Sequence, residues 1–212
     1  MIHTWAADIT PLFQEECYRK YYLEAPGFRQ EKADRLKHRQ GKAQSIGVWA
    51  LYAKMKEYFR LDGQEAYNFS HSGEYVLCSV CTAGETSALQ PLVGCDVEKV
   101  QKCRMALAKR YFCESEYRCI EEEEGEKQRE IFTRYWVLKE SFIKATGRGL
   151  TMPLNAFEIR LGNTAELIRQ PEEFREIFYY MESELGGGTY RVAVCSTDRQ
   201  IDADVRLIQL RE

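Results

Sequence analysis

Apolar residues recur every three or four positions between residues 131 and 146, a spacing typical of one buried face of an α-helix. The members of this row are Ile131, Tyr135, Leu138, Phe142 and Ala145. Gly147 follows, and glycine often ends a helix because it adopts the left-handed conformation without strain. The pattern predicts one long helix around which the other elements are arranged.

A second row of side chains follows the same predicted helix on a different face. It consists of Trp136, Glu140 and Lys144, each four residues from the next. If the apolar row is buried, this second row presents an indole, a carboxylate and an ammonium group to another part of the molecule. The alternative, which explains the helix pattern equally well, is that Glu140 and Lys144 form an ordinary exposed ion pair. Such a pair would contribute only about 0.3–0.5 kcal/mol to stability.

Outside this helix, helical patterns alternate with short apolar runs and turn residues. Helices are predicted over residues 10–22, 29–60 and 102–112, and strands over residues 1–10, 66–69, 74–81, 92–98, 157–160, 177–182, 190–195 and 205–210. Turns or loops are predicted over residues 70–73, 82–90, 121–126 and 186–188.

The two halves of the chain look alike, because each has a helical pattern and a few strands that are predicted to be antiparallel. The sequence therefore predicts an α+β fold of two pseudo-symmetric lobes with a cleft between them. Each lobe is expected to be a small, mainly antiparallel sheet packed with a long helix. The predicted lobes are residues 1–96 and 97–212.

Composition and charge exclude some classes of function. Of the 212 residues, 44% are hydrophobic and 30% are charged, and the formal net charge of −3 gives no reason to expect nucleic-acid binding. No run is long enough to span a bilayer, and the first eight residues lack the features of a signal peptide. We therefore expect a cytoplasmic protein without nucleic-acid or membrane partners. Its eight cysteines are expected to be reduced, partly buried thiols, and the one C-x-x-C pair, Cys78 and Cys81, has no second such pair to complete a zinc site.

Two carboxylates lie two residues apart in the strand predicted near the middle of the chain. Asp96 and Glu98 share a face of that strand, because successive side chains alternate between its sides. Carboxylates on one face repel each other unless a cation lies between them. Oxygen ligands without a nearby histidine favour Mg²⁺ over a transition metal. The alternative is an acidic edge that faces solvent.

Two polar segments are candidates for anion binding. The first is the basic run of Arg29, Lys32, Arg35, Lys37, His38, Arg39 and Lys42, which is either a converging anion site or a solvated face. The second is the turn predicted at residues 70–73, where Ser70 and His71 lie between two strands. Hydroxyl, imidazole and loop amide groups all donate hydrogen bonds to phosphate, although His71 is alternatively a structural histidine.

Three motifs occur in one chain with a characteristic order and separation. They are Asn68-Phe69-Ser70-His71-Ser72-Gly73, Gly94-Cys95-Asp96-Val97-Glu98 and Trp136-Val137-Leu138-Lys139-Glu140-Ser141-Phe142-Ile143-Lys144. Each motif is weak alone, but the set resembles the 4′-phosphopantetheinyl transferases of the Sfp type, and the resemblance extends from about residue 10 to residue 195. It implies two pseudo-symmetric α+β lobes, which agrees with the lobes predicted above.

The resemblance implies an enzyme that transfers the 4′-phosphopantetheine arm of coenzyme A to a serine of an acyl or peptidyl carrier protein and releases 3′,5′-ADP. Such a holo-[carrier protein] synthase depends on Mg²⁺ and binds coenzyme A between its lobes. The coenzyme A phosphate-binding elements would lie in residues 1–96, and the catalytic helix and the carrier-docking region in residues 97–212. Two other functions stay open, namely another Mg²⁺-dependent phosphoryl-transfer enzyme and a non-catalytic module that binds coenzyme A or a carrier protein.

Individual roles follow from the resemblance only where residues match the family motifs. The implied Mg²⁺ ligands are Asp96, Glu98 and Glu140, and the implied catalytic residues are Glu140 and Lys144. The residues implied to bind coenzyme A are Arg29, Lys32, Lys42, Ser70, His71 and Lys144. Glu116 matches a further acidic position of the family.

The chain departs from the family pattern at two places. Residues 62–66 carry no Lys-Pro pair where the family commonly has one near the adenine, and Ala43 and Gln44 stand where it usually has Arg or Thr. A carrier protein is expected to dock on residues 102–120, where basic residues complement the usual acidity of carriers. Apolar contacts are expected there from Met105, Leu107, Tyr111 and Phe112. An ordinary amphipathic helix is the alternative, and a monomer is the family expectation.

Overall fold

The computed structural model describes residues 1–82 and 90–211. Its α-helices are α1 (Glu15–Glu24), α2 (Gly27–Asp34), α3 (Arg39–Phe59), α4 (Met105–Tyr111), α5 (Glu114–Glu121) and α6 (Gly125–Thr146). Its strands are β1 (Ile2–Asp8), β2 (Tyr67–Ser72), β3 (Tyr75–Cys81), β4 (Val93–Lys99), β5 (Glu158–Arg160), β6 (Glu166–Arg169), β7 (Tyr179–Leu185), β8 (Tyr190–Ser196) and β9 (Ile201–Gln209). Short 3-10 helices span Thr10–Phe13, Gly149–Thr151 and Leu154–Ala156.

Three sheets are formed by these strands. The first has the order β2-β3-β1-β9, the second has the order β4-β8-β7, and the third pairs β5 with β6. All strand pairs are antiparallel except β1 with β9. The predicted α+β class with small, mainly antiparallel sheets is therefore confirmed.

The two larger sheets pack face to face, and each is covered on its outer side by a long helix. Ile46 and Met55 of α3 share a core with Val76 of β3. Leu138 and Phe142 of α6 share a second core with β8, and a third core lies between the sheets. The result is a four-layer arrangement in which α3 and α6 occupy equivalent places in the two lobes.

Strand alternation explains why β3 is apolar on both sides. Val76, Cys78 and Val80 belong to the core shared with α3, whereas Leu77 and Cys81 belong to the core between the sheets. Cys78 and Cys81 thus face opposite sides of the sheet, as their spacing in a strand predicts. The C-x-x-C spacing here reflects burial on both faces of a strand.

Several predicted element boundaries were wrong. Residues 70–72 continue β2 instead of forming a turn, because His71 pairs with Val76 and Ser72 with Tyr75 in register with β3. The helix predicted over residues 29–60 is two helices, since His38 has an extended backbone. Residues 34–40 offer only Leu36 as an apolar side chain, and helices in proteins depend on burying an apolar face. The predicted loop at residues 82–90 lies almost wholly outside the described residues.

Strand pairing does not follow the predicted division between residues 96 and 97. This boundary falls inside β4, which pairs with β8 along its whole length. Strand β9 comes from the second half of the chain but pairs with β1 in the first sheet. The lobes therefore share their chain segments, because a sheet is completed by hydrogen bonding and not by sequence order. Two elements of the second lobe, α5 and β6, were not predicted.

No helix in the described part of the chain is long and apolar enough to cross a membrane.

Glu116, whose role the sequence left open, forms a fully buried ion pair with Lys139 of α6. Lys139 Nζ lies 2.8 Å from Glu116 Oε1, and neither side chain is exposed. The pair also binds backbone groups, namely the amides of Cys113 and Ile159 and the carbonyls of Leu154 and Phe157. The ion pair ties α5 to α6, Lys139 ties residues 154 and 157 to α6, and Glu116 ties Ile159 to α5, so the pair organises this side of the second lobe.

Replacing Lys139 with methionine should lower the free energy of unfolding by about 3–5 kcal/mol, because it leaves a buried carboxylate without its counterion. The matched control is Arg118→Met, which removes an exposed ion pair between Arg118 and Glu114 and should cost at most about 1 kcal/mol. Urea unfolding followed by circular dichroism measures both. Equal losses in the two variants would contradict the structural role of the pair.

Candidate active site

Side chains of β2 hydrogen-bond to the backbone of β4 and so join the two lobes. The amides of Cys95, Val97 and Lys99 donate to Asn68 Oδ1, Ser70 Oγ and Ser72 Oγ at 3.1, 3.3 and 3.2 Å. Both strands stand at the edges of their sheets, so these amides lie where a further strand would otherwise pair. We call this set of contacts the β2–β4 seam.

Two serines of the seam also bind the two predicted metal carboxylates. Ser70 Oγ donates to Asp96 Oδ1 at 2.7 Å, and Ser72 Oγ donates to Glu98 Oε2 at 2.7 Å. A hydroxyl has one proton to donate and accepts further hydrogen bonds. Because each serine accepts an amide and donates to a carboxylate, the seam fixes where Asp96 and Glu98 lie.

Lys144 joins the site from α6. Its Nζ lies 2.7 Å from Asp96 Oδ1, 3.0 Å from Ser70 Oγ and 3.1 Å from the carbonyl of Cys95. Three acceptors use all three N–H bonds of an ammonium group. The predicted lysine of the W-x-x-K-E-S-x-x-K motif is therefore held in one position against the acidic strand.

Gly94 explains how α6 comes so close to β4. A Cβ atom at this position would overlap with the carbonyl oxygen of Ser141 and with the backbone of Ala145. The helix therefore lies directly on the strand, which places Glu140 and Lys144, one turn apart, beside Asp96. The glycine of the predicted G-x-D-x-E strand thus has a packing reason.

The electrostatics show that three carboxylates are neighbours. Burial, followed by the charge of Asp96, raises the pKa of Glu98 to about 7, and Glu140 adds to this rise while the hydrogen bond from Ser72 opposes it. Burial and the charge of Asp96 also raise the pKa of Glu140. Asp96 Oδ2 is buried and has no hydrogen-bond partner. The site therefore holds more negative charge than Lys144 alone compensates.

A divalent cation fits this chemistry. Within residues 1–82 and 90–211, no three His, Cys, Asp or Glu side chains are already arranged as a metal-binding group. The unpartnered oxygen of Asp96 and the raised pKa of Glu98 nevertheless mark oxygens that a cation would satisfy. Carboxylate oxygens are the ligands that Mg²⁺ prefers. The assignment of Asp96, Glu98 and Glu140 as Mg²⁺ ligands stays a prediction.

Ser70 and Lys144, two of the predicted phosphate-binding residues, lie beside Asp96, whereas His71 faces the opposite side of β2. His71 is exposed, and its pKa is lowered by partial burial and then by the charges of Lys144 and Lys32. Arg29 is only 8% exposed, and its Nε has no hydrogen-bond partner. Lys42 is half-buried on α3. His71 is thus near both cations, whereas the phosphate contacts of Arg29 and Lys42 stay predictions.

A cleft opens beside Glu98. Its lining includes Lys102, Arg104, Leu107, Phe132 and Trp136. Trp136 therefore faces the cleft one turn before Glu140, as the second row of the helix predicted. Phe112, expected at the docking surface, is instead buried against Phe132 and Tyr135, while Tyr111 is 41% exposed.

Sequence reasoning missed the contributions of Asn68, Ser72 and Gly94. All three stood inside the quoted motifs but were given no separate role. A signal was present for two of them, because Asn68, Ser70 and Ser72 alternate as polar residues on one face of a strand. The turn prediction for residues 70–73 concealed that alternation.

Without divalent cations, the free energy of unfolding should fall as pH rises from about 4.5 to above 7. Glu98 ionises near its ordinary pKa of 4.5 in the unfolded chain but only at about 7 in the folded protein. The folded state therefore binds more protons between these values, and its stability declines with rising pH. Melting temperatures measured in EDTA at pH 5 to 8 test this prediction. Each kcal/mol lost from the free energy of unfolding should lower the melting temperature by about 2–4 °C.

The Glu98→Gln variant should lack this part of the pH dependence and gain stability relative to the unmodified protein at pH 8. Glu126→Gln, at a side chain that is 96% exposed in the first turn of α6, is the matched control and should follow the unmodified protein. Mg²⁺ should raise the melting temperature of the unmodified protein more at pH 8 than at pH 5. Parallel curves for the unmodified protein and Glu98→Gln would contradict the assignment.

Comparison with known proteins finds similarity to one family. Residues 92–195 match the model of the family described as the 4′-phosphopantetheinyl transferase superfamily. The chain is 31% identical over 146 residues to 4′-phosphopantetheinyl transferase Sfp of Bacillus subtilis strain 168, which covers 69% of this chain and 61% of that protein. It is 33% identical over 134 residues to a 4′-phosphopantetheinyl transferase of Bacillus subtilis, which covers 61% of this chain and 54% of that protein. The chain thus spans little more than half the length of these curated relatives.

Solved structures show a partial likeness. Holo-[acyl-carrier-protein] synthase of Thermotoga maritima is 26% identical with a TM-score of 0.42, over 49% of this chain and 61% of that chain. A holo-(acyl-carrier-protein) synthase of Bacillus anthracis strain Ames is 21% identical with a TM-score of 0.41, over 49% of this chain and 92% of that chain. The family match includes the acidic strand β4 and helix α6, which pack against each other. By that match and by its curated relatives, the chain is similar to 4′-phosphopantetheinyl transferases, among them the Sfp enzyme whose type its motifs resemble.

Proposed function

We propose that this protein transfers the 4′-phosphopantetheine arm of coenzyme A to a serine of an acyl or peptidyl carrier protein and releases 3′,5′-ADP. The observation that carries the proposal is the meeting of Asp96 and Glu98 of β4 with Glu140 and Lys144 of α6. All four residues lie within the segment that matches the family. The curated relatives are named as 4′-phosphopantetheinyl transferases, which supports the same reaction. We further propose that it acts in the cytoplasm as a monomer.

The transfer is a displacement at phosphorus. The serine oxygen of the carrier forms a bond to the phosphorus that bears the pantetheine arm, and the bond from that phosphorus to the 3′,5′-ADP oxygen breaks. The serine proton passes to Glu140, directly or through a water molecule. Burial raises the pKa of Glu140, which brings this carboxylate closer to the working pH of a general base.

Lys144 supplies fixed positive charge next to the leaving oxygens. Asp96 and Ser70 hold its ammonium group, so little reorganisation is needed when negative charge develops on the pyrophosphate. Bound Mg²⁺ would neutralise further charge on the pyrophosphate oxygens. Asp96, Glu98 and Glu140 are the residues that would hold it. The nucleotide phosphates would meet Arg29, Lys32, Lys42, Ser70 and His71.

A carrier protein would dock on residues 102–120, which include α4 and most of α5, and on the adjoining cleft. Lys102, Arg104, Lys109, Arg110 and Arg118 are exposed there. Carrier proteins are usually acidic, so this charge pattern favours their approach in the orientation that brings the serine to the cleft. Leu107 and Trp136 line the cleft and would add apolar contact.

Glu140→Gln and Asp96→Ala should fold normally but lose about 10²–10³-fold in rate, because each removes an electrostatic contact at the reacting phosphate. The assay incubates the protein with apo-carrier, coenzyme A and MgCl₂ and measures the carrier by mass spectrometry. Glu126→Gln is the matched control on α6 and should retain activity.

A gain of one phosphopantetheine arm on the carrier supports the proposed transfer. Binding of both substrates without modification would support a non-catalytic module, and a different phosphorylated product would support another Mg²⁺-dependent phosphoryl transferase. Full activity in either active-site variant would remove the roles given to Glu140 and Asp96.

Lys109→Glu should raise the KM for the carrier about tenfold and leave the KM for coenzyme A unchanged, because it reverses a charge only at the proposed docking surface. Arg175→Glu makes the same change at an exposed residue outside α4 and should have little effect. The difference should shrink in 1 M salt, where charges are screened. An equal effect of both variants, or an effect on coenzyme A, would contradict this docking surface.

A further inference from the structure

A second set of side-chain contacts joins the lobes at the turn where β2 leads into β3. The hydroxyl of Tyr190, at the start of β8, donates a hydrogen bond to Glu74 Oε2 in that turn. The amide of Glu74 in turn donates to the Tyr190 oxygen at 3.2 Å. Because β2 and β3 belong to the first sheet and β8 to the second, these reciprocal hydrogen bonds connect the two lobes.

Lys99 of β4 takes part in the same contact. Its Nζ lies 3.3 Å from Glu74 Oε2 and 5.5 Å from the centre of the Tyr190 ring. Its amide is also the last donor of the β2–β4 seam, where it binds Ser72 Oγ at 3.2 Å. We call Glu74, Lys99 and Tyr190 the lobe latch. The lobe latch therefore extends the seam beyond its last serine.

Gly73 makes the close approach of Tyr190 possible. A Cβ atom at this position would overlap with the Tyr190 hydroxyl, and its φ angle of 53° lies in the left-handed region that favours glycine. The carbonyl of Gly73 accepts hydrogen bonds from the side chains of Gln40 and Gln44 of α3, at 2.9 and 3.0 Å. The turn is therefore held by α3 of the first lobe and by β8 of the second.

Tyr190 is firmly placed in the lobe latch. It is only 2% exposed, and its ring packs edge-on against Tyr75 of β3 with 4.9 Å between ring centroids. Burial, followed by the hydrogen bond to Glu74, raises the pKa of Tyr190, so the hydroxyl keeps the proton that it donates. The same hydrogen bond lowers the pKa of Glu74, which therefore accepts as a carboxylate. Hydrogen bonds to an ionised acceptor are stronger than those between neutral groups.

The lobe latch lies next to residues that are proposed to meet coenzyme A or its metal ion. Ser72, whose hydroxyl donates to Glu98 Oε2 at 2.7 Å, is two residues before Glu74, and His71 precedes Ser72. Glu98 directly precedes Lys99, and both line the cleft. A shift of the turn would therefore move Ser72 relative to Glu98 and change the separation of the two sides of the cleft.

We propose that Glu74 and Tyr190 are positioning residues for coenzyme A, because they hold Ser72 against Glu98 and keep the two lobes at a fixed separation. This inference rests on the proposed function for the identity of the ligand. A ligand that contacts both lobes depends on their separation, whereas a carrier docked on residues 102–120 contacts the second lobe. Removing the lobe latch should therefore weaken coenzyme A binding and leave carrier recognition unchanged.

Calorimetric titration of the full chain with coenzyme A in MgCl₂ tests the proposal. Glu74→Ala should weaken binding about tenfold, as is typical when a hydrogen bond to a charged group is lost. Glu74→Gln should restore most of the affinity, because its amide oxygen still accepts the Tyr190 hydroxyl. Tyr190→Phe keeps the ring and should weaken binding at least as much as Glu74→Ala. Combining Tyr190→Phe with Glu74→Ala should weaken binding no further, because both changes remove the same contact.

Glu184→Ala is the matched control. It removes an exposed carboxylate whose ion pair with Arg191 joins β7 to β8 within the second lobe, so coenzyme A binding should be unchanged. In the carrier assay, Glu74→Ala should raise the KM for coenzyme A about tenfold and leave the KM for the carrier unchanged. A contact that only stabilised the fold would lower the amount of active protein, and hence the apparent kcat, without changing either KM.

Unchanged coenzyme A binding in Glu74→Ala, equal weakening in Glu184→Ala, or no binding by the unmodified protein would each overturn the positioning role. A lower apparent kcat of Glu74→Ala with both KM values unchanged would do the same. Carrier modification together with unchanged coenzyme A binding in Glu74→Ala would leave the transferase standing and remove only the role of the lobe latch. Weakened binding in Glu74→Ala that Glu74→Gln restores, without carrier modification by the unmodified protein, would support the lobe latch and contradict the transferase.

Discussion

The structure depends on the hydrogen bonds that three backbone amides at the edge of a sheet donate to side-chain oxygens. In most sheets another strand supplies carbonyls, but here the amides of Cys95, Val97 and Lys99 bond to side chains of β2. A buried amide without an acceptor would be costly, so this pairing fixes the relative position of the lobes. It also leaves the serine protons free to bind Asp96 and Glu98. The same few atoms thus join the lobes and orient the acids.

The cluster of Asp96, Glu98 and Glu140 carries more negative charge than its neighbour Lys144 can compensate. Gly94 lets α6 lie directly on β4, and this close approach brings Glu140 toward Asp96. Lys144 donates a hydrogen bond to only one oxygen of Asp96. Carboxylates in such a setting resist ionisation, as the raised pKa of Glu98 shows. A ligand that brings positive charge to these carboxylates would stabilise the folded protein, because it binds the folded state and not the unfolded chain.

Much of the fold follows from local patterns, whereas the seam does not. The apolar row from Ile131 to Ala145 predicted α6 because its spacing matches the helical repeat. Residues 70–73 were predicted as a turn since Ser and Gly favour turns, and only pairing with β3 shows that they form a strand. Helix α5 escaped prediction because its buried side chains include Glu116, whose partner Lys139 is distant in sequence. Sequence motifs located the acids, but contacts between distant segments determined their surroundings.

Strand β9 has a consequence for how the molecule assembles. Ile201 pairs with Ile2, so the first sheet is incomplete until nearly two hundred residues have been joined. Contacts between such distant residues require a long loop to close first, and proteins rich in them fold slowly. During synthesis on a ribosome, the edge of β1 that pairs with β9 has no partner until the second lobe has been made. The chain is therefore expected to acquire its final structure in one late, cooperative event, and not lobe by lobe.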